Sequence, residues 1–161
     1  MPNKTLIVYY SLTGNTKFIA ESIKEEIKAD ILAIKPKKEL DSENSSKFFW
    51  GGYQSTMKKK PKLEPFDINP LDYDFIIIGT PVWTWNFSPP IRSFIKNYDL
   101  KGKNVALWSC SAGGTEKALN RLEENLKDVN IVGKLNLIEP LNKNAEEAKQ
   151  KAVDWSKQII S

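Results

Sequence analysis

Three short stretches of this chain carry residue types that could do chemistry. The first is Ser11-Leu12-Thr13-Gly14-Asn15-Thr16, which puts three hydroxyls, a carboxamide and a glycine into six residues. It stands between a β-rich run and a segment of helical spacing, at the amino terminus of the helix. Free backbone N–H groups and the helix dipole favour an anion there, and hydroxyls add donors without crowding it. A helix cap would account for one or two of these residues but not for five. The stretch lacks the Gly-Lys-Ser/Thr ending of a nucleoside-triphosphate loop and the spaced glycines of a dinucleotide loop. Its chemistry suits a monophosphate.

The second stretch is Thr80-Pro81-Val82-Trp83-Thr84-Trp85-Asn86-Phe87, a strand-end loop with two tryptophans and a phenylalanine. Rings of that size are costly to leave in a loop, and they suit a platform for a flat heteroaromatic ligand. The third is Ser109-Cys110-Ser111-Ala112-Gly113-Gly114, followed by Thr115. Its small residues allow backbone to approach the edge of a ligand. Cys110 is not expected to be a nucleophile. A phosphatase signature would need arginine six residues on, where Glu116 stands, and a nucleophile elbow at Ser111 would need glycine at 109. Cys110 reads as a small pocket residue.

The absences narrow the chemistry further. The 161 residues include no histidine and one cysteine, which leaves no His-based triad, imidazole ligand, internal disulfide or cysteine cluster. No run approaches the roughly 20 apolar residues of a membrane span. Met1-Pro2-Asn3-Lys4 leads straight into a strand, without the pattern of a signal peptide. A cytoplasmic protein whose chemistry belongs to a cofactor is expected. The net charge of +4 is local: residues 35–62 hold eight lysines against three acids, and the rest carry 16 cations and 17 acids. That patch reads as a solvated face or as a dock for an acidic partner or phosphorylated ligand, not as a nucleic-acid surface, since it lacks interleaved arginine and aromatic residues.

The elements that must position these loops alternate in type. Thr5–Tyr10, Asp30–Ile34, Asp74–Thr80, Asn104–Ser109 and Asn130–Ile138 read as strands. Residues 16–28 show Ile19, Ile23 and Ile27 at helical spacing. Ser88, a capping hydroxyl ahead of Pro89-Pro90, opens a helix through Tyr98. Leu119, Leu122 and Leu126 mark another, and Ala148, Ala152, Trp155 and Ile159 mark the last, from about Ala145. Residues 41–65 read as an irregular helix with long flanks. Strict β-α alternation implies a parallel sheet with helices on both faces, in one α/β domain over 1–161. Ligands of such sheets sit at the carboxyl ends of the strands, which is where all three loops fall.

With these loops in place the chain resembles the flavodoxin family over essentially its whole length. Ser11-Leu12-Thr13-Gly14-Asn15-Thr16 is similar to that family's Thr/Ser-x-Thr-Gly-Asn-Thr loop for the FMN phosphate. Thr80-Pro81-Val82-Trp83 followed by Pro89-Pro90-Ile91-Arg92, and Trp50-Gly51-Gly52 ahead of the lysines, resemble a flavodoxin-like subgroup of the short-chain type. The resemblance implies a doubly wound five-stranded sheet of order 2-1-3-4-5. It implies FMN, with phosphate contacts from Ser11, Thr13, Gly14, Asn15 and Thr16, and the isoalloxazine between the 80–87 and 109–114 loops. It also implies electron transfer between redox partner proteins, a reductase and an acceptor. An FMN-dependent NAD(P)H oxidoreductase of quinone or flavin reductase type is the alternative on the same scaffold. A receiver-type signalling domain is disfavoured, because Tyr9-Tyr10-Ser11 stands where its acidic metal ligands belong.

Two departures from the family carry expectations. The three loops contain no Asp or Glu before Glu116, whereas flavodoxins are acidic around the flavin. Thr84 and Asn86 follow the two tryptophans where the family places a glycine whose peptide flips toward the half-reduced ring. Both departures imply a less negative second one-electron couple and less stabilisation of the half-reduced flavin.

Overall fold

Runs such as Phe75-Ile76-Ile77-Ile78 put bulky β-favouring side chains on both faces of a strand, so they fold only where both faces are covered. A computed structural model describes residues 4–37, 61–113 and 116–161 and shows such a sheet. Its strands are β1 (Thr5–Tyr9), β2 (Asp30–Ala33), β3 (Phe75–Trp83), β4 (Asn86–Phe87), β5 (Asn104–Ser111) and β6 (Asn130–Ile138). The described residues also form four α-helices, α1 (Asn15–Ile27), α2 (Pro89–Asn97), α3 (Lys117–Glu124) and α4 (Ala145–Ile160), and a short 3-10 turn at Pro70–Asp72. The parallel path is β2-β1-β3-β5-β6, which is the expected order 2-1-3-4-5 once the short antiparallel β4 is set aside. The expected helix at 41–65 lies outside the described residues, except that 61–65 are not helical and Leu63 bridges Pro36.

The alternation of side chains along each strand divides the core in two. Leu6 and Val8 of β1 pack with Ile91 and Phe94 of α2 and Leu119 and Leu122 of α3. Ile7 and Tyr9 face the other way, onto Ile19 and Ile23 of α1 and Ala152 and Trp155 of α4. Each fully buried aliphatic side chain stabilises the fold by roughly 1.5–3 kcal/mol. The helix ends follow local chemistry. Asn144 accepts from Glu147 N–H at 3.1 Å and donates to its carboxylate at 3.1 Å, a reciprocal cap for α4. Ser88 corrects the expectation of a hydroxyl cap. It occupies the cap position of α2 without a side-chain cap bond, and its Oγ accepts from Thr80 Oγ1 at 3.0 Å.

The middle of the sheet depends on one bare backbone position. Gly79 pairs with Tyr9 on one side and Trp108 on the other, and the Trp108 indole lies across it. A Cβ at residue 79 would overlap the six-membered ring of Trp108, which is itself fully buried. Gly79→Ala is therefore expected to destabilise the protein by about 1–3 kcal/mol through overpacking, read as a lower urea midpoint. An unchanged midpoint would mean that the indole is free to move aside.

Candidate functional site

The turn between β1 and α1 is shaped by two residues. Gly14 holds φ 102°, a left-handed conformation that a side chain would strain, and stands at the cap of α1 without a side-chain cap bond. The Ser11 hydroxyl oxygen accepts from the N–H groups of Gly14 and Lys17, both at 3.2 Å. With its lone pairs engaged, the Ser11 O–H is left to donate outward. The first turn of α1 also leaves N–H groups without intrahelical acceptors, so the turn is a concentrated donor set. Thr13 is exposed above it, whereas Thr16 is buried and its hydroxyl bonds the Cys110 thiol.

The 80–87 segment is a hairpin, where the sequence suggested an open loop. Pairing of Val82 with Phe87 and of Trp83 with Asn86 leaves a two-residue turn, Thr84-Trp85, with φ of 54° and 57°. Positive φ at both positions is the type I′ signature, and Asn-Gly is its preferred sequence. Of the two residues that stand where the family places a glycine, Thr84 adopts left-handed backbone, as does Trp85, and Asn86 does not. The turn separates the tryptophans. Trp83 is half-buried, edge-on to Tyr10 with ring centroids 5.8 Å apart, and borders a cleft of about 320 Å³. Trp85 is 60% exposed at the tip, where Arg121 donates to its carbonyl at 3.3 Å and Lys117 Nζ lies 5.8 Å from its ring.

The cleft lies at the carboxyl ends of β1, β3 and β5. Thr13, Asn15 and Thr16 meet Pro81, Val82 and Trp83 there, with Cys110, Ser111 and Ala112 opposite. Thr80, Asn86, Phe87 and Ser109 are not brought to its wall; all four are buried behind it. Phe87 sits under the Arg92 guanidinium, 4.2 Å from ring to cation. Ser109 and Ser111 both donate to Asn136 Oδ1, at 2.7 and 3.2 Å, which locks β5 to β6 at the edge of the site. Gly113 is exposed, and Gly114 lies outside the described residues.

A fourth segment completes the wall, and sequence reasoning missed it. Glu139, Leu141 and Asn142, in the turn after β6, line the cleft. Asn15 Oδ1 accepts from Leu141 N–H at 2.9 Å and draws this turn over the phosphate-type loop. Leu12, the one residue of that loop without a polar side chain or a turn role, also borders the cleft. The signal was available: Glu139-Pro140 ends a strand whose carboxyl terminus should share the edge with the others. Glu139 also corrects the expectation of a site without acids. It is the only carboxylate among the described lining residues, and Lys143 stands 3.8 Å from it.

The flavodoxin family model matches residues 4–159. This chain belongs to the flavodoxin family. No curated protein matches its sequence. Among solved structures it is similar to a flavoprotein of Lactobacillus acidophilus crystallised in complex with FMN, with 28% identity, 96% of this chain and 99% of that one covered, and a TM-score of 0.73. The apo form of a Lactobacillus acidophilus flavoprotein matches at 29% identity over 89% and 97% of the two chains, TM-score 0.67. The two-electron reduced flavodoxin of Megasphaera elsdenii, at 21% identity over 95% and 98%, shares the fold with a TM-score of 0.55.

The family's cofactor is FMN, and the residues of this flavodoxin fit it. The donor turn at 11–16 suits a phosphate, and the cleft beside it has one indole wall and one wall of small residues. Burial pushes the Cys110 thiol up to about 12, against the opposing hydrogen bond to Thr16. The folded protein therefore holds Cys110 as a neutral thiol, and an aromatic disulfide reagent at pH 8 is expected to label it only on unfolding. Fast labelling of the native protein would show that the cleft floor is open. The turn gives a second expectation: Thr84→Asn should raise the urea midpoint by a gain of about 0.5–1 kcal/mol, because asparagine tolerates positive φ better than a β-branched residue. A lower midpoint would mean that the threonine side chain is held by contacts worth more than its strain.

Proposed function

We propose that residues 1–161 form one flavodoxin-like domain that binds FMN and shuttles electrons between redox partner proteins, a reductase and an acceptor, in the cytoplasm. The observation that carries this reading is the donor turn at 11–16 opening onto a cleft walled by Trp83, in a chain matched by the family model over 4–159. When bound, the flavin supplies one- and two-electron chemistry, and the protein supplies binding and electrostatics. Ser11, Thr13 and the backbone of Gly14–Thr16 would hold the phosphate. Asn15 acts through the turn at 139–142, which it holds in place. Pro81, Val82, Trp83 and Ala112 would border the ring, and Ser111 stays with them through its bond to Asn136.

A carrier must present its cofactor to two partners in turn. The exposed hairpin tip at Trp85, flanked by Lys117 and Arg121, gives a partner an aromatic and basic rim to meet. An FMN-dependent NAD(P)H oxidoreductase would need no separate reductase. Steady-state oxidation of NADH or NADPH by the purified protein with a quinone acceptor would replace the carrier reading with that one.

FMN is expected to bind at least a hundredfold more tightly than riboflavin, because hydrogen bonds to a charged group contribute roughly 1.5–3 kcal/mol each. Ser11→Ala should weaken FMN binding by about tenfold or more and leave riboflavin binding nearly unchanged. Titration by quenching of flavin fluorescence reads both. Equal affinities for FMN and riboflavin would remove the phosphate assignment.

A further inference from the structure

A second opening beside the helices lies away from the flavin cleft. A groove of about 540 Å³ runs along the outer side of α2, from Arg92 in its first turn to Asp99 beyond its end. The turn after α3, including Leu126, Lys127 and Val129, forms the opposite bank. Among the described residues three cations line it, Arg92, Lys96 and Lys127, against one carboxylate, Asp99. None of the three makes an ion pair among the described residues, and the Asp99 carboxylate instead accepts from Lys101 N–H at 3.0 Å.

Arg92 is the unusual member. Only 6% of it is exposed, and among the described residues its side chain makes one long hydrogen bond, Nη2 to Asn86 Oδ1 at 3.5 Å. Phe87 covers one face of the guanidinium. Buried cations are ordinarily paired with an anion, because an arginine offers five donors and cannot shed its proton to escape the desolvation cost. Here most of the fork's donors have no acceptor among the described residues, and Arg92 is one of the residues that line the groove. Burial lowers the Arg92 pKa from its ordinary value, and guanidinium groups stay charged in proteins.

We infer that the groove is a binding site for an organic phosphate monoester, with Arg92 as the bidentate anchor and Lys96 and Lys127 as supporting charges. Arg92 and Lys96 are four residues apart on α2 and so share a face. A phosphate dianion matches a site with three cations better than a carboxylate monoanion does, and the guanidinium fork fits two phosphate oxygens. Ile95, Leu126 and Val129 supply an apolar wall for the rest of the ligand. The volume lies in the range of small-molecule sites. This site is separate from the FMN cleft, which shares none of its described lining residues.

Phenyl phosphate is the probe, titrated at pH 7.5 into isotope-labelled protein saturated with FMN, so that the phosphate loop is occupied. Saturable NMR shifts are expected at residues 92–99 and 125–129, with affinity at least tenfold tighter than for benzoate. Arg92→Gln should abolish saturation. Should that variant misfold, the exposed double variant Lys96→Gln/Lys127→Gln should weaken phenyl phosphate binding at least fivefold and leave FMN affinity unchanged. The assignment is overturned by shifts that do not saturate, by benzoate binding equally well, or by unchanged affinity in the double variant. Repeating the titration without FMN separates the two sites: loss of the FMN reading would alter shifts at 11–17 and leave those of the groove in place.

Discussion

The contact of the Trp108 indole with the bare backbone of Gly79 sets the level of everything above it. Tyr9, Gly79, Trp108 and Leu135 form one row across four strands. The Trp108 indole can lie across the row because Gly79 carries no side chain. Residues one step further along the strands therefore emerge together, as Thr80, Ser109 and Asn136. Their hydroxyl and carboxamide groups are satisfied among themselves and by Ser88. That polar layer closes the core, and the cleft begins on its far side. A slip of one residue between β3 and β5 would turn Trp108 to the opposite face and misalign two of the four cleft-forming segments.

The parts of this fold legible in the sequence were those dictated by local pattern. The five parallel strands are short apolar runs, and Ile19 and Ile23 mark the buried face of α1. The loop at 11–16 could be read because a helix start, a glycine and several hydroxyls constrain one another within six residues. The hairpin could not be read in that way. Asn86–Phe87 is a strand only because Val82 and Trp83 pair with it, and Thr84-Trp85 gives no turn signal. Ser88 likewise had two uses for its hydroxyl, and the buried Thr80 side chain, distant in sequence, decided between them.

The electrostatics of the cleft show the same limit. A count of acids in three loops found none, because the carboxylate arrives on a fourth segment that only the β5–β6 pairing brings there. Glu139 N–H donates to the Ser111 carbonyl at 3.0 Å, which ties the acid directly to the third loop. A carboxylate near the ring would oppose added negative charge, so the expectation of a less negative second couple loses part of its basis. Lys143 offsets some of that field, while solvent weakens the pair. Asp99 lines the α2 groove and not this cleft.

The Thr84-Trp85 turn is where local preference and the assembled site conflict most openly. Left-handed backbone costs an ordinary residue roughly 1–2 kcal/mol, so two such residues in succession cost about as much as a well-buried side chain contributes, or more. The surroundings hold the turn from three sides. Val82 and Trp83 pair with Phe87 and Asn86 below it, Arg121 holds the Trp85 carbonyl, and Lys117 lies over the indole. An Asn-Gly turn would close the same hairpin with less strain, but it would leave no aromatic group at the tip. The strained turn therefore has one visible structural consequence: the Trp85 indole stands in solvent at the tip, while Trp83 stays in the cleft wall.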